Sequence, residues 1–438
     1  MRINFYILFI LHLVTALVHL NGQRLEVSDD EILTFVDYTQ GNSTENESIP
    51  DVKCTKDVHT IHNSADLAFI FDCKVLDGDV LVSNYKEPII QFGDIQAITG
   101  SLTVRGAPNL VRIEAPSIGS IGNVFSLREL TSLALISFPA LRTVKELDWK
   151  ILPILSTVHV NNEISGIESI IVSDTSLTKF SGFISNELSK LDLNNNRFLE
   201  SIQSNVEKIT GELHIAANSA NVAVDLSRLK SAQNLTIQET ASLDLSKLEQ
   251  VENSVSFIAN TFKQLKVPKL RSVGGTLSIS ENPYLNHLEF NSIDDIGGGL
   301  VIVNNTSIEK INFFPKLSII GGAMELVGYM KEISLKQLKL VKGSAKIQAF
   351  ADQFDCSKWT KSEVGSVIRG GRIECTNSKD EKIVEIGNGG DNEMVNSTTE
   401  KNSTSIFDSL RFKSQGNKLS NCLRHIVWFG IVALEIMS

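Results

Sequence analysis

The sequence predicts an all-β fold, a right-handed parallel β-solenoid with stapled ends, on three observations. The first is a repeat. Across residues 188–320 the segments LSKLDLNNNRFLESI, TGELHIAANSANVAVDL, NSVSFIANTFKQLKV, GGTLSISENPYLNHLEF and GGLVIVNNTSIEKINFF are variants of one pattern. Its period is roughly 20–24 residues, the range of leucine-rich repeats. Each variant opens on an alternating apolar pair: Leu191/Leu193, Leu213/Ile215, Val255/Phe257, Leu277/Ile279 and Leu300/Ile302. Period-two alternation sends such a pair to one face of a strand and the residue between them to the other. One such strand cannot bury its apolar face alone, so successive coils stack and share a core.

The second observation is an asparagine three residues after each pair: Asn196, Asn218, Asn260, Asn282 and Asn305. The chain turns there, and a buried turn needs its backbone groups paired. A stack of side-chain amides can do that from coil to coil. The third is the placing of the cysteines. Of five, Cys54 and Cys73 precede the repeats, Cys356 and Cys375 follow them, and Cys422 is left over. In an oxidising compartment the first four pair as Cys54–Cys73 and Cys356–Cys375, stapling caps over the solenoid's open ends.

Taken in order, residues 1–22 read as a secretory signal, with Arg2 ahead of the apolar run FYILFILHLVTALVHL. Residues 23–53 are an acidic, polar leader carrying the glycosylation acceptors Asn42 and Asn46. The capped solenoid spans 54–376. Its first cap contains a helix in SADLAFIF, and its first strand is expected at 77–83, DGDVLVS. Coils restart near Thr99, Gly122, Lys145, Ile167, Leu188, Thr210, Gln233, Glu252, Gly274, Gly297, Gly321 and Lys342. A third apolar segment ends most coils, so each has three sides. Gly at the restarts and Pro116, Pro139, Pro268 and Pro315 mark corners. The closing cap, FDCSKWTKSEVGSVIRGGRIECTN, holds a short amphipathic helix near 357–368.

Residues 377–415 form a polar glycosylated stalk with acceptors Asn396 and Asn402. Residues 416–438 end in HIVWFGIVALEIMS, shorter than the ~20 residues of a membrane-spanning helix. A small-residue site, a polar spacer and an apolar tail together read as a GPI-attachment signal, with Ser414 or Gly416 as the attachment residue. Cys422 then leaves with the tail. Within the repeats, Asn234 and Asn304 are further acceptors; Asn304 is preferred to Asn305, which belongs to the inward asparagine stack.

The formal net charge of −10 and the absence of a basic cluster exclude nucleic acid as a partner. No Cys/His spacing suggests a metal, and no phosphate loop or nucleophile motif suggests a cofactor or catalytic residue. A solenoid enzyme would display its catalytic groups between the inward pairs, at Thr103, Ser126, Ile171, Asp192, His214, Thr236, Ser256, Ser278, Val301 and Glu325. Glycoside hydrolysis needs two carboxyls, roughly 5–5.5 Å or 6.5–9.5 Å apart. With coils ~4.8 Å apart, the second should lie one or two coils from Asp192, and that column supplies none. Asp192 and His214 read as a solvated surface pair. Asp294 and Asp295 fall at a corner, Gly297–Gly299 form a turn, and Trp149 and Trp359 are core or cap residues.

Several segments resemble the fungal GPI-anchored cell-wall organisation proteins. They are LPILSTVHVNNEISGIESIIVSDTSLTKFSGF, LDLNNNRFLESI, VPKLRSVGGTLSISEN, FFPKLSIIGGA and the closing FDCSKW and RIEC. The more specific parts are DWKILP at 148–153 and VSDTSL at 172–177. The resemblance covers 54–375 and implies a receptor-L-domain-like leucine-rich solenoid. It also implies a non-enzymatic surface glycoprotein that organises the cell wall or the ascospore wall, with no catalytic motif to carry over. The stalk departs from that pattern, being short and charged. The expected partners are wall polysaccharide (glucan) or wall-assembly proteins, and the membrane through a GPI lipid. A ligand-binding receptor module and a wall-polysaccharide enzyme are the rival readings.

Overall fold

The computed structural model describes residues 52–160, 164–360, 366–379 and 382–386. The signal segment, the acceptors Asn42, Asn46, Asn396 and Asn402, and the attachment candidates Ser414 and Gly416 lie outside them. The fold is all-β, a solenoid of about 13 turns. Its long sheet of 22 strands is parallel from coil to coil, and shorter parallel ladders form a further side.

One coil shows how the sequence makes this. Leu277 and Ile279 in the strand Leu277–Ser280 point inward and are fully buried, while Ser278 faces out. The strand pairs with Val255–Ile258 before it and Leu300–Val303 after it, so Phe257, Ile279 and Ile302 stack. A second side follows at His287–Glu289, burying Leu288, and a third at Asp295–Ile296, burying Ile296. Three sides per coil match the sequence expectation. Buried residues from Ile61 to Cys375 make one continuous core.

The glycines at the restarts have a stronger reason than turn formation. A Cβ on Gly297 would lie 2.3 Å from the Gly274 carbonyl oxygen, and one on Gly321 would lie 2.1 Å from that of Gly297. The third side turns into the long sheet here with backbone stacked on backbone, leaving no room for a side chain. Beside them, the Asp294 carbonyl accepts the Ser318 N–H at 2.9 Å, the corner role expected of that segment.

Both caps are stapled as predicted, Cys54 to Cys73 and Cys356 to Cys375, each with Cα atoms 5.7 Å apart. Closing a loop of this length stabilises the fold by about 3 kcal/mol in the chain-entropy account. The first cap helix, Ser64–Ile70, starts at Asn63, whose side chain accepts the N–H groups of Ala65 and Asp66. Its Leu67 and Ile70 cover the open end of the core. Trp149 and Trp359 are buried, as expected of core and cap residues.

Two strands differ from the sequence expectation. The first strand is Thr55–Ile61, inside the first cap; the expected one is the second, Val75–Ser83, parallel to it. Only His59 and Ile61 of TKDVHTI are buried, so no apolar alternation announces the strand. At the far end Lys382–Ile386, within the segment read as stalk, pairs antiparallel with Arg372–Thr376. The closing helix is described at Cys356–Thr360.

Candidate functional site: the outer face and the ladder corner

The long sheet's outward column runs in register from coil to coil through Thr103, Ser126, Asp148, Ile171, Asp192, His214, Thr236, Ser256, Ser278, Val301 and Glu325. Asp148 corrects the sequence reading, which left its coil out of the column. Register with Ser126 on one side and Ile171 on the other places it there. Asp148 lies two coils from Asp192, roughly 9–10 Å by strand spacing. A second carboxylate is therefore present, at the upper edge of the inverting range.

Its environment does not suit it for acid catalysis. Asp148 is 6% exposed and accepts bonds from Arg128 Nε at 2.7 Å and Ser126 Oγ at 3.3 Å, with Lys150 Nζ at 2.8 Å. Burial pushes its carboxyl up, but hydrogen bonds and charge from Lys150 and Arg128 outweigh that and hold it below the ordinary carboxylate range. Asp192 behaves alike. Burial raises it, and bonds from His214 and Asn194 together with the Lys190 charge bring it below its usual value. The His214 Nδ1 to Asp192 Oδ1 distance is 2.9 Å, and this bond raises the imidazole against the opposing effect of burial. A carboxyl held below its usual range is a poor proton donor to a leaving group. The Asp192–His214 contact foreseen in the sequence is a hydrogen-bonded pair flanked by Lys190.

The column changes character along its length. Its ionisable groups are Asp148, Asp192 and His214 in the middle and Glu325 near the far end. From Thr236 on, Ser256, Ser278 and Val301 give a smooth surface of hydroxyls and small apolar groups.

At the corner leaving this sheet the predicted asparagine stack is present and buried. The Asn282 Oδ1 accepts the Asn260 N–H at 2.9 Å and the Asn260 Nδ2 at 3.0 Å, while its own Nδ2 donates to the Phe257 carbonyl at 3.0 Å. Asn305 does the same for Asn282, and Asn218 for Asn196. The sequence reading missed two members, Thr175 and Thr240. Their N–H groups donate to the amide oxygens of Asn196 and Asn260. It also missed that the residue before each ladder position is left-handed: Asp174, Asn195, Ala217, Glu239, Ala259, Glu281 and Asn304, with φ between 51° and 59°. Side chains there point out of the coil. Hence Asn304 is exposed and Asn305 is 2% exposed, which is the geometry the glycan assignment to Asn304 requires. Asn234 is half-buried on the outer face, in register with Glu212.

Among the described residues, no group of three or more His, Cys, Asp or Glu side chains could hold a metal ion. No described helix is long and apolar enough to cross a membrane.

Comparison with known proteins decides the family. The chain is 38% identical to Sporulation-specific protein 2 of Saccharomyces cerevisiae over 369 residues, 83% of this chain and 71% of the relative. It is 38% identical to Sporulation-specific protein 22 of the same yeast, over 76% of this chain and 73% of that one. The chain belongs to the fungal GPI-anchored cell-wall and sporulation protein family. A Cell surface GPI-anchored protein of Arthroderma benhamiae, 30% identical over 78% of this chain and 87% of its own length, is a further member. The cell-wall family relatives bear the names of surface, wall or sporulation proteins, with no enzyme name among them. No protein-family model matches the chain, and no solved structure does.

Proposed function

We propose that this protein is a non-enzymatic surface scaffold in the assembly of the fungal cell wall, and in particular of the ascospore wall. The observation that carries the reading is its membership of the family, with sporulation proteins at 38% identity over most of the chain. The site chemistry supports it, because the two aligned carboxylates, Asp148 and Asp192, both lie against cations, Arg128 and Lys150 for the first and Lys190 for the second, which favour their ionised form. In this reading a GPI lipid at Ser414 or Gly416 holds the chain at the outer membrane face or passes it to the wall. The stiff solenoid then engages glucan or wall-assembly proteins.

The test is fractionation of tagged protein from growing and from sporulating cells. Membranes are treated with phosphatidylinositol-specific phospholipase and walls with glucanase. Release by either enzyme, strongest in sporulating cells, is the expected result. Recovery in the medium alone, or a spore wall unchanged in composition and stress resistance when the protein is lost, would overturn the proposal.

A further inference from the structure

Six aromatic side chains stand prominently exposed among the described residues: Phe69 and Phe71 in the first cap, and Phe198, Tyr284, Tyr329 and Phe350 in the coils. All four in the coils occupy the ladder corner. Phe198 and Tyr284 each stand two residues past a ladder asparagine. Tyr329 and Phe350 each stand three past Leu326 and Ile347, the sequence offset of the ladder residues, but are exposed where those are buried.

The turn explains how Phe198 and Tyr284 come to face solvent. The Leu199 N–H donates to the Asn196 carbonyl at 2.9 Å, and the Leu285 N–H to that of Asn282. Residues one and two past each asparagine are thus the two central residues of a tight turn, and they point outward. Nothing in the turn requires an aromatic there, and coils such as Asn305-Thr306-Ser307-Ile308 close the same turn with hydroxyls. Phe198 is 53% exposed, Tyr284 57% and Tyr329 52%; the Tyr329 and Phe350 rings meet edge to face at 5.5 Å.

Phe198 also has a distinctive setting. It borders a depression of about 150 Å³ lined by Pro153, Asp174, Ser176, Asn195 and Arg197. Asp174 and Asn195 sit at left-handed positions of adjacent coils, their side chains hydrogen-bonded to each other. Arg197 has no carboxylate partner among the described residues. An aromatic face beside a carboxylate, an amide and a guanidinium fits one ligand class: a neutral ring with an apolar face and hydroxyls on its rim.

The geometry points to a glycan-binding edge along the ladder corner, with a pyranose subsite on Phe198, Arg197, Asp174 and Asn195. Tyr284 and the Tyr329–Phe350 pair are further stacking platforms for the same chain. Tyr284 lies four coils from Phe198, roughly 19 Å, and Tyr329 two coils further. The occupant is a neutral wall polysaccharide running across the coils. This rests on the wall-scaffold reading and places recognition at the corner beside the sheet face. Stacked asparagines inside the corner hold the outward residues in fixed register.

The experiment is titration of the full mature chain, stripped of N-glycans, with a linear β-1,3-glucose hexamer and with a chitin hexamer, alongside retention on isolated walls. Phe198→Ala and Arg197→Ala are each expected to weaken binding of one hexamer about tenfold, the effect of losing one stacking or charged contact. Tyr284→Ala should weaken it less, and Ser278→Arg on the sheet face should leave it unchanged. The three corner residues, Arg197, Phe198 and Tyr284, are exposed, so an unchanged Tm separates lost binding from lost folding. Binding that survives Phe198→Ala and Arg197→Ala but falls with Ser278→Arg overturns the corner site and leaves wall binding intact. Wall retention with neither hexamer bound in any form also overturns it. No retention on walls at all overturns this site together with polysaccharide as the scaffold's partner. Gain of binding only on Asn304→Gln, in protein with its glycans intact, would make the chain's own glycan the occupant and overturn the wall polysaccharide.

Discussion

In the first coils the position three past the second inward residue holds Tyr85, Ala107, Leu130 and Leu152, all buried and apolar in their packing. In the later coils the same position holds Thr175, Asn196, Asn218, Thr240, Asn260, Asn282 and Asn305, also buried. Both regions turn through a left-handed residue just before it, Glu129 and Ile151 in the first, Asn195 and Asn304 in the second. What differs is who pairs the corner's N–H. The Leu130 N–H donates to the Ile151 carbonyl of the next coil at 3.2 Å, backbone to backbone. The Asn260 N–H donates to the Asn282 side chain at 2.9 Å. One backbone path thus has two solutions, because the physical demand is only that the buried donor be paired. The apolar solution leaves interior space for large side chains, and Trp149 lies there edge-on to Phe125. The amide solution links each coil to the next through buried polar groups.

The largest effect should come from breaking the amide solution in its own region. Asn282→Leu leaves the Asn260 N–H without its acceptor, takes one of the two bonds made by Asn260 Nδ2 (the other goes to the Ile237 carbonyl) and removes a donor from the Phe257 carbonyl. Each buried orphan costs about 1–3 kcal/mol, so a loss of about 3–5 kcal/mol is expected in urea unfolding. A loss below about 1 kcal/mol would show that the ladder is not needed. The reverse transplant, Leu130→Asn, places a lone amide in the apolar region and should cost about 2–3 kcal/mol, with neighbours Ala107 and Leu152 unable to pair it. Asn and Leu being equally tolerated at 130 would mean that the two regions do not differ in kind.

Smaller gains should follow from completing what each region lacks. Thr240 carries no amide, so the ladder falls into two pieces around it. Thr240→Asn supplies an acceptor facing Asn218, and a gain of about 1 kcal/mol in the unfolding midpoint analysis is the expected reading. At the shared left-handed position, Ile151 at φ 59° is a β-branched residue where sterics favour Gly or Asn. Being 44% exposed, it should accept Ile151→Asn with a gain of about 1 kcal/mol; destabilisation would mean that the isoleucine packs more than it strains.

The smallest effect concerns the charged face. His214 is raised above 6.5 by Asp192, so its contribution is fully present below that value and fades as pH rises through the folded-state pKa. Asp192 is lowered below 3.8, so its share is present above that value and fades as pH falls through its depressed pKa. The pair therefore stabilises most between about pH 4 and 6.5, by under ~1 kcal/mol given its partial exposure. His214→Gln should flatten the stability profile between pH 6 and 8. A profile equally steep in the variant would place the titration elsewhere.

The repeat, its inward pairs, the asparagine stack, the stapled caps and the three-sided coil were legible in the sequence. Each is written as a local pattern: alternation two residues apart, an amide at a fixed offset, cysteines flanking the repeat. What tertiary structure alone decided lies between coils. Asp148 entered the outward column only through register with Ser126 and Ile171. The strand Thr55–Ile61 exists because Val75–Ser83 offers it an edge, not because TKDVHTI alternates. Asp148 is held low by Lys150, two residues along its own strand, and also by Arg128, twenty residues away in sequence and one coil away in space, a partner only stacking supplies. In a parallel solenoid every residue's nearest non-local neighbours are a full coil distant along the chain. Local patterning therefore fixes which face a side chain takes, and only stacking fixes whom it meets.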